Sequence, residues 1–240
     1  ENANTYVPYN AINFDDYPNV ELREHPGKVR ILWEGSSSHQ EGLWPLNASM
    51  ARLAAKYPQT EWIFFGARYA WAAKNIPIEQ VKFVPWVGYD GYKTRLSMFA
   101  HDIAIAPLTP NKFNDSRSAI RFYENSAICR PAATLAQTTG AYAQEIIEGE
   151  TGMLFSNPDE FEQKISSLIE QETLRNTLAA NAKDWVRSAR DARKIATKLF
   201  HKWSEVRADH KASMPYNAQM DDIERFKKIP VKPLKEVKLS

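Results

Sequence analysis

VRILWEGSSSHQEGLWPLNASMARLAAKYPQTEWIFFG, residues Val29–Gly66, carries the order of elements on which the fold rests. Val29–Trp33 is short, apolar and rich in β-forming side chains, and it stops at Glu34-Gly35-Ser36-Ser37-Ser38. Glu41–Lys56 then places Leu43, Leu46, Met50, Leu53 and Ala54 at helical spacing, and Tyr57-Pro58 ends it. Trp62–Phe65 is a second apolar run, closed by Gly66. Two strands that are apolar along their whole length, joined by an amphipathic helix, mark a parallel sheet covered on both faces.

The pattern continues outward. Val81–Val84 reads as a strand, Tyr89–Ala100 as a helix, and Ile103–Ala106 as a strand cut off by Pro107. Arg117–Cys129 reads as a helix, Pro131–Thr134 as a strand, Tyr142–Ile147 as a helix and Gly152–Phe155 as a strand. Helices follow over Pro158–Ile169 and from Glu172 to about Arg207. The expected fold is α/β: a Rossmann-like, doubly wound parallel sheet of about six strands with a long C-terminal helix and tail. Residues 1–28 are polar and carry Pro8, Pro18 and Pro26, which reads as a linker. Residues 29–208 form the expected domain, and residues 209–240, with Pro215, Pro230 and Pro233, the tail.

Composition narrows the function. Of 240 residues, 43% are hydrophobic and 25% charged, which suits a globular core and argues against global disorder. Only nine are glycine, so a GxGxxG or Walker phosphate loop would stand out, and neither is present. A net charge of +2 gives no reason to expect nucleic acid as a partner. The single cysteine, Cys129, excludes an internal disulfide framework and reads as core. No apolar run approaches the roughly 18 residues of a membrane span. The chain does not open with Met or a signal-like segment, and we expect a cytoplasmic piece of a larger assembly. In the last helix Trp185, Ala189, Ala192, Ala196, Leu199, Trp203 and Val206 form one apolar stripe. Its other face is basic: a solvated surface, or a peripheral contact with anionic lipid or an acidic partner.

In a doubly wound sheet, ligands bind at the carboxyl ends of the strands. The densest loop there is PLTPNKFNDSRSAIRFYE, Pro107–Glu124. It leaves a strand, crosses a polar stretch containing Asn114 and enters a helix that Asp115, Ser116 or Ser118 is placed to cap. The first amides of such a helix suit a diphosphate. Arg117 and Arg121, four apart, would add charge-assisted bonds, unless Arg121 and Glu124 are an ordinary surface pair. Glu124 could accept two hydroxyl hydrogen bonds from a ribose. Gly35 allows close backbone approach, and Ser36 and His39 can donate hydrogen bonds to a ligand. No metal-ligand spacing involves His39. Trp86 and Val87 follow a strand into a cleft loop, where they face a nucleobase or pack in the core; Tyr142 follows the Thr138-Thr139-Gly140 turn.

Taken together, GSSSH after the first strand, WIFFG, VKFVPWV, DIAIAPL, FNDSRSAIRFYENSA and YAQEIIEGETGMLF resemble the C-terminal, nucleotide-sugar-binding domain of GT-B glycosyltransferases, most of all the retaining family 4 group. The resemblance runs from about Tyr6 to Val206 and includes Val7-Pro8-Tyr9-Asn10-Ala11-Ile12, similar to the linker that enters this domain. It implies that Glu124 is the second glutamate of the family's E-x7-E element and binds the donor's ribose. The first falls on Ser116, where the family contacts the donor sugar near the reacting carbon. Ser116 and Arg121 are thereby the expected catalytic positions. The cationic pair of the family's first loop is missing here, and Arg68 and Arg117 are candidate substitutes. Tyr142 would cover the donor phosphates.

The resemblance implies sugar transfer from a nucleotide-diphosphate sugar to a carbohydrate or lipid-linked acceptor held by an N-terminal domain, as in polysaccharide biosynthesis. It implies no cofactor and no metal ion. Such a chain is expected to fold alone, bind nucleotide weakly and show little transfer without its partner domain. The competing readings are a sugar-nucleotide epimerase or phosphorylase, and a non-catalytic module of a glycan-synthesis complex. Ser116 in place of a glutamate favours the last.

Overall fold

Six parallel strands in the order β3-β2-β1-β4-β5-β6 form one sheet among the described residues. They are β1 (Val29–Gly35), β2 (Thr60–Gly66), β3 (Val81–Pro85), β4 (Ile103–Ala106), β5 (Ala133–Gln137) and β6 (Met153–Phe155). A computed structural model describes residues 9–22, 25–36, 39–66 and 71–213, with side chains as far as residue 208. The strand order is that of a doubly wound dinucleotide-type sheet, as expected. The chain reverses its direction of winding between the neighbours β1 and β4.

The pleat divides the core in two. Val29, Ile31 and Trp33 of β1 and Trp62 and Phe64 of β2 face one side, where they meet α2 (Asn47–Lys56) and α7 (Pro158–Glu170). Leu32, Ile63 and Phe65 face the other, against α3 (Tyr89–Met98), α5 (Ile120–Ala127) and α8 (Glu172–Ala189). Full-length apolar strands are what burial on both faces requires.

Several boundaries differ from the sequence reading. The helix expected over Glu41–Lys56 is α1 (Gln40–Leu43), a 3-10 turn at Trp44–Leu46 and α2, because Pro45 tightens the chain there. β5 runs two to three residues later than Pro131–Thr134, since Ala133–Ala136 are the residues in register with Ile103–Ala106. The helix expected at Tyr142–Ile147 is α6 (Gly140–Ala143), followed by a turn in which Ile147 N–H donates to Thr151 Oγ1.

The long helix expected from Glu172 is two: α8, and α9 (Ala192–Ser213), broken at Arg190 and Asp191. Here Ile12 N–H donates to Arg190 O at 2.8 Å and Ala192 N–H to Ile12 O at 2.8 Å, so backbone from the N-terminal segment replaces helical bonds. Arg190 is held by Glu145 at 2.6 Å, and Asp191 Oδ1 accepts the Arg193 N–H at 2.9 Å. The segment read as a linker thus places Ile12 and Tyr17 in the core.

The chain divides into two units, Glu1–Ile195 and Ala196–Ser240. In the second, residues 196–213 are helical, with Phe200, Trp203 and Val206 exposed and Lys202 paired with Glu205. No helix among the described residues is long and apolar enough to cross a membrane.

Candidate functional site

The loops after β1 and β4 meet at the carboxyl edge of the sheet, where the winding reverses. Two cavities lie there, sharing His39 and Leu108 in their walls. The smaller, about 180 Å³, is lined by Arg117, Ser118, Ile120, Arg121 and Tyr142 as well. The larger, about 250 Å³, is walled by Glu41, Gly42, Pro107, Thr109, Asn111, Phe113 and Asn114 in addition.

The β4 loop does not run straight into its helix. Lys112–Asp115 first forms one turn, α4, capped by Asn111, whose Oδ1 accepts the Asn114 N–H at 2.8 Å. α5 then begins at Ile120, three residues later than expected, and no side chain caps it. The three expected caps are engaged elsewhere. Asp115 Oδ1 accepts the Gly140 N–H at 3.2 Å, Ser116 Oγ donates to Phe113 O at 2.8 Å, and Ser118 Oγ accepts from Asn10 Nδ2 at 2.6 Å. The first amides of α5 keep the positive end of the helix at the wall of the smaller cavity.

Arg121 in that first turn is 8% exposed, and its guanidinium makes no hydrogen bond among the described residues. It lies against β1: a Cβ on Gly35 would stand 2.9 Å from Arg121 Nη2. Glycine at 35 is therefore what admits the guanidinium. Arg117 precedes the helix rather than sharing a face with Arg121, yet both line the same cavity. Arg117 lies over the Phe113 ring at 4.8 Å and donates to His39 Nε2. Burial, then Arg121 and Arg117, push the His39 imidazole down to about 3. His39 is thus neutral, and with Nε2 accepting, its proton sits on Nδ1, facing Ser36 Oγ at 3.2 Å. The result is a cationic wall made of two arginines and a neutral histidine.

One turn further along α5, partly buried Glu124 brings Oε2 to 2.9 Å from Tyr92 Oη and Oε1 to 3.5 Å from Tyr17 Oη. Tyr92 Oη is also 2.7 Å from Oε2 of Glu34, a carboxyl 3% exposed at the end of β1. Glu34 Oε1 accepts from Asn125 Nδ2 at 2.9 Å, and Asn125 Oδ1 lies 2.6 Å from Nε2 of the buried His101. Burial and the neighbouring Glu34 push Glu124 up to about 7. Burial raises Glu34 as well, against the pull of Arg121. Burial pushes His101 down to about 4, so it is a neutral donor to Asn125.

Glu34, Tyr92, Asn125 and Tyr17 escaped the sequence reading. A signal existed for Glu34. It follows Leu32 at the strand period and so falls on the face of the sheet that carries α3 and α5, where a carboxylate needs a partner.

The other expected residues separate. Tyr142 is buried in the wall of the smaller cavity, and burial raises its hydroxyl pKa. Asn114 Nδ2 donates to Thr109 O at 2.7 Å, shaping the larger cavity. Ser116 and Asp115 are exposed and turned toward their own loop and the α6 turn. Trp86 is 57% exposed at the end of β3, its ring stacked at 5.7 Å on Phe65 and 5.4 Å on Tyr92, while half-buried Val87 packs on the second core. Arg68 lies outside the described residues. Among the described residues no group of three or more His, Cys, Asp or Glu stands together as a metal-ligand set.

No family model and no curated protein sequence matches the chain. Solved structures do match. The Anabaena protein HepE in complex with UDP and glucose is 17% identical, with a TM-score of 0.62 over 83% of this chain and 57% of that one. Sucrose-phosphate synthase from Thermosynechococcus elongatus is 15% identical, with a TM-score of 0.61 over 83% and 52%. The C-terminal domain of the glycosyl transferase group 1 family protein LpcC from Francisella tularensis is 17% identical, with a TM-score of 0.52 over 77% and 96%. The likeness is one of fold: a Rossmann-like domain of the kind these structures contain. The chain spans little more than half the length of the first two.

Proposed function

We propose that this chain is the donor-binding half of a glycosyltransferase that takes a sugar from a nucleotide-diphosphate sugar. The carrying observation is the buried guanidinium of Arg121, without a hydrogen-bond partner among the described residues, beside an uncapped helix start at the strand ends where the winding reverses. A buried cation with unused donors is costly unless an anion completes it. Two arginines and helix amides around a cavity of this size suit a diphosphate. In this reading they stabilise the charge that develops on the leaving diphosphate, with no metal ion required. HepE is solved with UDP and with UDP-glucose, which supports the same ligand class here.

Glu124 then takes the ribose hydroxyls, Tyr142 and His39 flank the phosphates, and Trp86 offers a face to the base. The sequence resemblance to family 4 supports a retaining outcome. The acceptor, a glycan or lipid-linked sugar, belongs to a partner domain, in keeping with the share of its structural neighbours that the chain spans. Ser116, standing where the family has a glutamate and bonded to Phe113 O, favours the rival reading of a non-catalytic nucleotide-binding module.

Thermal shift with UDP, GDP, ADP and dTDP tests the binding claim. One nucleotide is expected to raise Tm well above the others; no stabilisation by any of them overturns it. Donor turnover by the chain joined to its partner domain separates enzyme from module.

A further inference from the structure

The oxygen of Tyr92 touches two carboxyl groups, and it has one proton. Tyr92 Oη stands 2.7 Å from Glu34 Oε2 and 2.9 Å from Glu124 Oε2. If both carboxyls were ionised, one contact would set a carboxylate oxygen against a bare phenol lone pair with no proton between them. The trio is satisfied only by one additional proton, held on one of the carboxyls.

The surroundings decide which. His101, neutral, donates Nε2–H to Asn125 Oδ1, and this fixes the amide so that Nδ2 donates to Glu34 Oε1. The charge of Arg121 favours the ionised form of Glu34. Glu34 therefore sits among donors, takes the phenol proton and stays ionised. Among the described residues, Glu124 has only the Tyr17 hydroxyl at 3.5 Å on its other oxygen. It completes the chain by donating from Oε2 to Tyr92 Oη.

We infer that Glu34 and Tyr92 are positioning residues that hold a proton on Glu124, and that a vicinal diol accepted by Glu124 displaces this proton. The inference rests on the proposed function, which brings the ribose of a nucleotide to Glu124. A carboxylate accepts two hydroxyl hydrogen bonds, whereas a carboxylic acid already donating to Tyr92 offers one neutral oxygen.

The groups facing Glu124 are consistent with this. Tyr17 and Tyr92 both stay protonated, their hydroxyls raised by burial and by the two glutamates. Lys93 on α3 attracts Glu124 but is paired with Asp16. Arg121 acts on Glu34 and Glu124 both, and Tyr142 from α6 is neutral. Burial together with Glu34 brings Glu124 to about 7, where the proton can move.

The test is nucleotide-sugar affinity against pH. UDP-glucose and its 2′-deoxyribose counterpart are the probes, or the same pair with whichever base the nucleotide screen selects. Their phosphate diesters do not titrate between pH 6 and 8, and His39, at about 3, does not either. For the wild type we expect affinity about tenfold weaker at pH 6 than at pH 8, as the ionised fraction of Glu124 falls. Calorimetry in two buffers of different ionisation enthalpy should read about half a proton released per ligand at pH 7. The deoxy probe should show a shallower profile.

In Glu34→Gln the amide oxygen keeps Asn125, and the amide nitrogen donates to Tyr92. The phenol proton then turns to Glu124, which ionises, and the profile flattens. A steep profile retained in Glu34→Gln, or a flat one with no proton release in the wild type, overturns the inference while leaving nucleotide binding intact. Carboxyl titration of 13C-glutamate-labelled wild-type protein reads the proton without any ligand: one carboxyl should titrate between pH 6 and 8. Its absence overturns the inference. Its presence without binding of any nucleotide overturns the proposed function instead.

Discussion

Replacing Arg121 by methionine removes a charge and five donors while keeping an apolar stem of similar reach. The structure separates the two quantities this change affects. In the protein alone the guanidinium is buried and bonded to nothing among the described residues. Its desolvation penalty goes, and so does its attraction to Glu34. Glu34 keeps its hydrogen bonds to Asn125 and Tyr92, so the two losses oppose one another. The expected change in unfolding free energy is about 1 kcal/mol. Binding is different, because a charge-assisted hydrogen bond to a phosphate is worth about 1.5–3 kcal/mol. That predicts a Kd for the preferred nucleotide diphosphate about 10 to 150 times weaker. Titration calorimetry at one low salt concentration, with urea unfolding of the same preparations, reads both numbers. An affinity within twofold of wild type would refute the assignment of Arg121 to the diphosphate. So would a stability loss above about 3 kcal/mol with binding unchanged, which would make Arg121 a structural cation.

Two further substitutions probe the scaffold of the site. Gly66 has φ of +113°, and a Cβ there would stand 2.6 Å from Gly35 O, so Gly66→Ala is expected to destabilise by about 2 kcal/mol or more in urea unfolding; a change under about 0.5 kcal/mol would contradict the close packing of the β1 and β2 ends. His101, buried and neutral, has its folded pKa lowered from 6.5 to about 4. Its contribution is full above pH 6.5 and lost as pH falls toward 4, amounting to about 2–3 kcal/mol by pH 4.5. His101→Gln should remove that part of the acid sensitivity, and unfolding curves at pH 7 and 4.5 that shift equally in both proteins would show that His101 is not the group responsible.

Periodicity within a short window made the sheet legible. Ile103–Ala106 stands where the apolar run places it, and β1 to β3 extend the expected runs by only one or two residues at either end. Breaks that depend on distant chain were not legible. The carbonyl of Arg190 turns out of its helix because Ile12, far away in sequence, supplies the N–H. The start of α5 moved for a related reason: Asp115 and Ser118 have side chains suited to capping but found Gly140 and Asn10 instead.

The same division runs through the site. Residue type and position after a strand sufficed to pick out His39, Arg117, Arg121 and Tyr142, because loops at the carboxyl edge of a doubly wound sheet converge whatever their detailed course. They could not reveal that Glu124 shares a phenol with Glu34. Glu34 and Tyr92 stand 58 residues apart, and nothing in either neighbourhood announces the other. The sequence by itself determined the sheet, its covered faces and the edge on which the strand-end loops converge, since apolar periodicity is a local property of the chain. Only the tertiary structure decided where the protons and charges of that edge reside. Burial and distance set those, and both exist only once strands β1 and β4 lie side by side with α3 and α5 packed across them.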